Sequence, residues 1–440
     1  MTPLGPRRAL LPAGAPRMLV ALTRRLIATV LLLLLFAWPA AASASVKSDV
    51  SAIVASSGFG GPTTSIAIWD STAHRSIFRL HERTELKPAS NMKLTTSAAA
   101  LADLGVTARL STRVYRTGVL SGGKLTGSLW LVGGGDPSLS TDIFARRAFG
   151  GAAGHLSDLA AAVRAAGIRR VTGRVNGDAT MFDNKRTGPY WKPSYWRDCP
   201  PISALSVNKS LISYFGPESY KHPVLHAATA FRGALNARGV KVGHDPRTGP
   251  LPAGATLVAT EPSPRISRLV LLMNRASDNY FAEVLNKRVA VAVGMAGTMA
   301  NGRRETRRYL SSLGVNMRGA KLYDGSGLSP RDRLSAHQIL ALLNKVSNQG
   351  YGKTLRASLP LAGVNGTLSN RMRSGPAHRN AQAKTGTLDD ASALSGYVHS
   401  RNGHQIVFSI LVNHRRLNIL AAHKLQDRIV QALAGSRPRG

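Results

Sequence analysis

Three short motifs stand in order along the chain: Ser90-Asn91-Met92-Lys93, Ser277-Asp278-Asn279 and Lys384-Thr385-Gly386. A serine hydroxyl is a poor nucleophile until a base removes its proton. On a helix, residues three apart share a face, so Lys93 stands beside Ser90 and can take that proton if its amine is neutral part of the time. Burial and a second nearby cation both disfavour the charged form of a lysine, and Lys384 is a candidate for that cation. Ser277 would pass a proton to the leaving amine, and Asn279 would fix Lys93 and bind the substrate amide. Lys384 and Thr385 offer a cation and a hydroxyl suited to a terminal carboxylate. Gly386 keeps a strand edge open so that a peptide can lie along it as an added strand. The N–H groups of Ser90 and Thr387 would form an oxyanion hole. The set describes serine acyl transfer in which a lysine, not a histidine, moves the proton.

Each motif alone has an ordinary explanation as a helix cap, a solvated charge or a turn. Ser-x-x-Lys recurs at Ser121–Lys124 and Ser206–Lys209, whereas Lys-Thr-Gly occurs once. Ser121-Gly122-Gly123-Lys124 is a glycine turn between strand-like runs. Ser206–Lys209 runs into Leu211-Ile212-Ser213-Tyr214-Phe215, which reads as a strand ending at Gly216-Pro217, and Ser206 is kept as a rival nucleophile. The coincidence of three motifs in order, each in a suitable element, favours chemistry at Ser90. Other schemes lack their residues. There is no Gly-x-Ser-x-Gly elbow and no His-Glu-x-x-His, and Ser347 stands where a phosphate loop through Gly352-Lys353-Thr354 needs its first glycine. No metal or cofactor is expected.

The elements that must hold these residues can be read from pattern. Thr63–Asp70 alternates, with Ile66 and Ile68 on one face, and reads as a strand. Leu94, Ala98, Leu101 and Leu104 recur at helical spacing and stop at Gly105, so Ser90 opens an apolar helix. Tyr280–Val289 and Leu334–Val346 read as helices, the second with Ser335 as cap. Ala391–His399 and Ile406–Asn413 are strands joined through Asn402-Gly403, so the Lys384 motif opens a hairpin edge, and Leu417–Leu433 is a terminal helix. Between about Ser111 and Pro262 the pattern changes to short strands, glycine turns and helices at Ala161–Ala166 and Ala227–Ala237. That block reads as a mainly β inserted domain, 111–262, within a catalytic domain made of 45–110 and 263–440. The expected core is an α/β (α+β) sandwich, an antiparallel sheet flanked by helices.

The remaining composition bounds where such an enzyme works. Arg24 and Arg25 precede an uncharged run from Leu26 to Trp38, then Pro39 and small residues to Ala44. That order reads as a signal peptide, 1–44, cleaved near Ala44, placing the mature chain in the periplasm or another extracytoplasmic wall space. Cys199 is the only cysteine, which excludes an internal disulfide and reads as a packing residue. The net charge is +36, or +31 without the five arginines of residues 1–44. Export argues against nucleic acid as the partner of that charge; carboxylates and anionic polymers of a wall are the alternative, and solvated arginine-rich surface explains it equally.

Taken together, these residues resemble the D-alanyl-D-alanine carboxypeptidase/endopeptidase family, the class C low-molecular-mass penicillin-binding proteins. The likeness extends to Gly135-Asp136-Pro137, Gly177-Asp178-Ala179, Phe182-Asp183, Asp324-Gly325-Ser326-Gly327-Leu328, Gly363 to Leu368, and Leu394-Ser395-Gly396-Tyr397. The resemblance implies a transpeptidase/β-lactamase-like serine-hydrolase domain with an insertion between its first two motifs. It implies peptidoglycan stem peptides as substrates and β-lactams as acylating inhibitors. It also implies that Asp183 holds the far amino end of the stem peptide, with Leu388 and Asp389 lining the same pocket. The family's second insertion, after the stretch matching Val207–Gly216, is expected to be reduced here to Pro217–Pro223. The competing functions are a β-lactamase, for which no deacylating glutamate is evident, and a catalytically silent wall-binding protein. Oligomeric state is not readable from the sequence.

Overall fold

Thr64–Asp70, strand β1, is buried on both faces, Ile66 and Ile68 packing on one side and Ala67 on the other. This computed structural model describes Met1, Thr2, Gly5 and residues 45–438; the expected signal segment lies outside the described residues apart from its first few positions. β1 sits fourth in a five-stranded antiparallel sheet of order β12-β13-β14-β1-β2, completed by β2 (Arg75–Leu80), β12 (Gln382–Leu388), β13 (Ala391–His399) and β14 (Gln405–Asn413). Register is continuous from β12 to β1, Ile66 lying opposite Ile410 and Leu394 opposite the same residue from the other side, and shifts in the β1–β2 pairing between Ile68 and Trp69.

Two apolar layers cover this sheet, as a sandwich requires. Ile66, Ile68, Leu394, Phe408 and Ile410 face α1 (Val46–Ala55) and the terminal helix, Ile419–Gly435. Ala67, Ala393, Tyr397, Val407 and Leu411 face the larger core. That core contains α2 (Met92–Ala99), which carries Lys93, and the helices Ile266–Ala276, Asn279–Ala292 and Ala336–Ser347. The expected helix at Ser90 is entered through a short 3-10 turn, Ala89–Asn91, and runs on through a π turn to Gly105.

The block between the first two motifs builds two further sheets. One has the order β10 (Arg247–Thr248), β8 (Val175–Asp178), β6 (Leu129–Val132), β3 (Arg109–Arg116) and β11 (Thr256–Arg265), with β3 and β11 antiparallel where the block begins and ends. The other has the order β4 (Val119–Ser121), β5 (Lys124–Thr126), β7 (Arg170–Val171) and β9 (Lys241–Val242), and its β4–β5 hairpin turns at Ser121-Gly122-Gly123 as expected. Helices Leu156–Ala165 and Pro223–Ala237 pack on them through Leu159, Val163, Ala227 and Phe231. One expectation fails. Leu211–Phe215 is not a strand: a 3-10 turn covers Asn208–Ser210, and Asn208, Lys209 and Ser210 all have positive φ (55°, 56° and 63°). Three successive left-handed residues cannot continue an extended run, and only an isolated bridge, Leu211 to Ser219, remains.

Helix Ala336–Ser347 shows how local chemistry fixes an element. Ser335 Oγ accepts from Gln338 N at 3.2 Å, and Gln338 Oε1 accepts from Ser335 N at 3.0 Å, a reciprocal capping box. Ser335→Ala should lower stability by about 1 kcal/mol. Denaturant midpoints check this.

Candidate active site

Ala89 precedes Ser90 at φ 46°, a conformation that costs a non-glycine residue about 1–3 kcal/mol. The strained turn aims Ser90 into a cleft where it is half-buried, while Lys93 one turn on is fully buried. Lys93 Nζ donates to Ser90 Oγ at 2.9 Å, to Asn279 Oδ1 at 2.6 Å and to the Ser326 carbonyl at 2.8 Å. Three acceptors saturate an ammonium; when the amine is neutral, one of these contacts reverses, and the Ser90 hydroxyl is the one that can donate.

The second and third motifs meet opposite. Lys384, also fully buried, donates to Ser277 Oγ at 2.9 Å and to the Thr385 carbonyl at 2.9 Å. Ser277 ends the helix Ile266–Ala276 at φ 56°. Asp278 then caps the helix Asn279–Ala292, its Oδ1 accepting from Phe281 N at 3.0 Å. The Ser-Asp-Asn turn thus does cap a helix, and the same turn presents Ser277 to one lysine and Asn279 to the other. Asn279 Nδ2 is held by the Asp198 carbonyl at 3.0 Å. The two halves are tied by Asn91 Nδ2, which donates to the Lys384 carbonyl at 3.0 Å.

Close approach at the cleft floor requires glycine. A Cβ on Gly386 would lie 2.9 Å from the Pro88 carbonyl oxygen and 3.0 Å from Ser90 N, and one on Gly327 would lie 1.9 Å from the Ala89 carbonyl oxygen. Thr385 Oγ1 is 2.6 Å from Thr367 Oγ1. Ala383 N donates to the Pro360 carbonyl at 3.0 Å, on the side of β12 away from β13. Backbone N–H groups two apart along a strand point the same way, so Thr385 and Thr387 present theirs along that outer edge.

Sequence reasoning missed the carboxyl cluster behind Lys93. Asp324 accepts from the N–H groups of Ser326 (3.1 Å), Gly327 (2.6 Å) and Ser329 (2.7 Å), and from Trp191 Nε1 at 2.7 Å. Glu283, one helical turn after Asn279, accepts from Gly325 N at 3.0 Å. These contacts shape the loop whose Ser326 carbonyl holds Lys93. Glu283 reads in the sequence as an ordinary acid on a helix; only its apolar neighbours hint at burial. Lys209, weighed as partner of Ser206, instead donates to Asp278 Oδ2 at 2.6 Å, and Ser206 Oγ accepts from Ser210 at 3.1 Å. No hydrogen bond joins Ser206 to Lys209 among the described residues.

Electrostatics follow from burial. Desolvation lowers Lys93 to about 8, against the opposing pull of Asp324, Glu283 and Asp278. Lys384 is held well below the usual lysine range by burial and then by the charge of Lys93. The expected cation–cation effect therefore falls on Lys384, while burial does the work at Lys93. Glu283 is raised to about 8 by burial and by the neighbouring Asp324 charge. Cys199 is buried, its thiol pushed well up by desolvation, as suits a packing residue.

The resemblance-derived residues lie at other ion pairs. Asp183 Oδ1 accepts from the buried Lys287 Nζ at 2.6 Å. Asp389 is exposed and pairs with Lys192, and Leu388 is half-buried beside it. Among the described residues there is no group of histidines, cysteines and acids able to hold a metal, and no helix is long and apolar enough to cross a membrane.

Two predictions follow from this geometry. With Lys93 near 8, about one amine in ten is neutral at pH 7, so acylation by a β-lactam should rise with pH along a limb near pH 8. Glu283 ionises over the same range, and once ionised it favours the ammonium form of Lys93; Glu283→Gln should therefore move this limb to lower pH, and an unmoved limb in a stopped-flow pH series would reject that role. Gly386→Ala must push β12 off the nucleophile turn. A displacement of that kind costs about 10²-fold in rate, measurable as slower adduct formation in a folded protein.

Residues 46–215 and 218–435 match peptidase family S13, the D-Ala-D-Ala carboxypeptidase 3 family. The chain is 30% identical to a D-alanyl-D-alanine carboxypeptidase of Actinomadura sp. (strain R39), over 93% of this chain and 89% of that protein. It is 34% identical to the carboxypeptidase DacB of Mycolicibacterium smegmatis, over 79% and 75% of the two chains. Its fold matches penicillin binding protein 4 of Haemophilus influenzae at a TM-score of 0.73 and 20% identity, covering 86% of this chain and 97% of that one. The same protein complexed with a β-lactam matches at 0.66. With a serine, two buried lysines and an open strand edge assembled from its three motifs, the chain belongs to the D-Ala-D-Ala carboxypeptidase 3 (S13) family.

Proposed function

We propose that the protein is an exported, penicillin-sensitive serine peptidase that removes the terminal D-Ala from peptidoglycan stem peptides or cuts the D-Ala–diaminopimelate cross-link. One observation carries the reading: a fully buried Lys93 amine 2.9 Å from a half-buried Ser90 hydroxyl. Ser90 Oγ attacks the penultimate D-Ala carbonyl as its proton passes to Lys93 Nζ. The developing oxyanion sits between the N–H groups of Ser90 and Thr387. Ser277 gives its hydroxyl proton to the departing amine and takes one in its place from the Lys384 ammonium that donates to it; the C–N bond breaks, and the acyl group stays on Ser90. Water then hydrolyses the ester, its proton returning to Lys384 as Lys93 returns the proton of Ser90. Lys384 and Thr385 receive the terminal carboxylate of the carboxypeptidase substrate. The outer edge of β12 is paired with residues 360 and 361 as far as Ala383, leaving Thr385–Leu388 for a peptide to add as a strand.

Asp183, with Leu388 and Asp389, takes the far amino end of the stem peptide in this reading. Lys287 already neutralises Asp183, so the incoming amine shares that carboxylate rather than meeting it bare. The insertion 111–262 is read as a separate domain on the support of its own sheets and its own apolar cluster, from Val114 to Ala259. The wall space is the site of action, with cleavage near Ala44.

Intact-mass spectrometry after penicillin tests the reading. A single adduct on the wild type, absent in Ser90→Ala, is expected, together with D-alanine release from muropeptides. No adduct would leave a wall-binding protein without catalysis, and rapid loss of the adduct with β-lactam hydrolysis would indicate a β-lactamase. Removing both charges of the far pocket, Asp183→Asn with Lys287→Met, should raise KM for amine-bearing stem peptides and leave penicillin acylation unchanged.

A further inference from the structure

Away from the catalytic cleft, a groove of about 670 Å3 runs between the β1–β2 turn and helices Ala336–Ser347 and Gly352–Ser358. Trp69, Asn344, Lys345, Lys353, Arg356 and Gln405 line it, and none of the lining residues is a carboxylate. At its base Arg356 Nε donates to Gln382 Oε1 and its Nη1 to Gln405 Oε1, both at 2.7 Å. Its plane lies 5.3 Å from the Tyr397 ring centroid. Both acceptors are neutral amides, so this half-buried guanidinium has no anionic partner, and burial holds its pKa below the usual value. Lys345 and Lys353 are exposed and form no ion pair among the described residues. Of the neighbouring acids, Glu82 is engaged by His337 and Arg79, and the buried Asp70, between Trp69 and Ser71, by His404 and the N–H groups of Thr72 and Ala73.

A desolvated cation with neutral acceptors is incomplete, since a buried charge is ordinarily paired. Arg and Lys together suit an oxyanion, the side-chain amides suit hydroxyl groups, and the half-buried indole of Trp69 offers an apolar face to a sugar ring. We propose that this groove binds an anionic polysaccharide of the wall, its carboxylate or phosphodiester on Arg356, Lys345 and Lys353 and a sugar ring against Trp69. The proposal rests on reading the chain as a peptidoglycan enzyme. Through Gln382, two residues before Lys384, the groove adjoins the strand that borders the cleft, so a polymer seated there lies beside the stem peptides being cut.

The test uses the mature protein acylated with penicillin, which closes the cleft, and co-sedimentation with insoluble cell-wall sacculi. Lys345→Gln with Lys353→Gln removes two groove charges; Arg238→Gln with Lys241→Gln removes two exposed charges from the insertion. The groove pair should bind about tenfold more weakly, and the insertion pair should bind as the wild type does. Arg356→Gln should match or exceed the loss from the groove pair, with penicillin labelling as the check that it is folded. Equal losses in both pairs would mean that overall charge does the binding, and no loss in either would mean that the groove is idle; each outcome overturns the proposal. Binding lost after phosphodiester polymers are stripped identifies phosphate as the ligand, and binding retained identifies glycan carboxylates. Equal affinity for neutral chitin would overturn the anionic assignment. Failure of penicillin to label the wild type bears on the proposed activity, not on the groove, and sedimentation is then run on unlabelled protein.

Discussion

The constraint on which the site depends is an amine kept out of water. Lys93 has no exposed surface, and the cost of holding a charge there makes a neutral base available near neutral pH. A surface lysine, near its ordinary pKa, would be almost wholly protonated. Burial alone would leave the amine free to rotate. Asn279, the Ser326 carbonyl and Ser90 remove that freedom, and they come from three separate stretches of the chain. The helical layer, the Asp324 loop and the Ser277–Asn279 turn can all be understood as means of bringing those acceptors to one buried nitrogen.

Much of this was legible in the sequence where chemistry is local. The three motifs, the helix after Ser90, the hairpin through Asn402-Gly403 and the cap at Ser335 each rest on neighbours within a few residues, and each is found where expected. What was not legible depends on distant pairing. Glu283 has the same type and spacing as a solvated helix acid; its role comes from Gly325, more than forty residues away in sequence. Lys209 shows the opposite error. Its spacing from Ser206 imitates a catalytic pair, but the left-handed run at Asn208–Ser210 turns it toward Asp278. That turn also ended the strand expected at Leu211–Phe215, because φ signs of asparagine and serine are not fixed by side-chain pattern.

Family membership and site geometry agree but answer different questions. The match along residues 46–215 and 218–435 establishes the lineage. The distances show which atoms can exchange a proton. Trp191, from the inserted block, donates to Asp324, and Lys209 of the same block pairs with Asp278. Residues between the first two motifs are therefore part of the architecture that holds both lysine-bearing halves.

The central sheet takes β1 and β2 from residues 64–80 and its other three strands from residues 382–413. The β1–β14 pairing closes a loop of more than three hundred residues, and such long-range contacts form late because the entropy of closure precedes any gain. Ser90 and Lys93 emerge early from the ribosome, but the edge strand carrying Lys384 cannot dock until nearly the whole chain is available. Ser90 and Lys93 consequently stay without their partners from the third motif while the chain is being made, and the order of folding itself delays assembly of the site until the chain is almost complete.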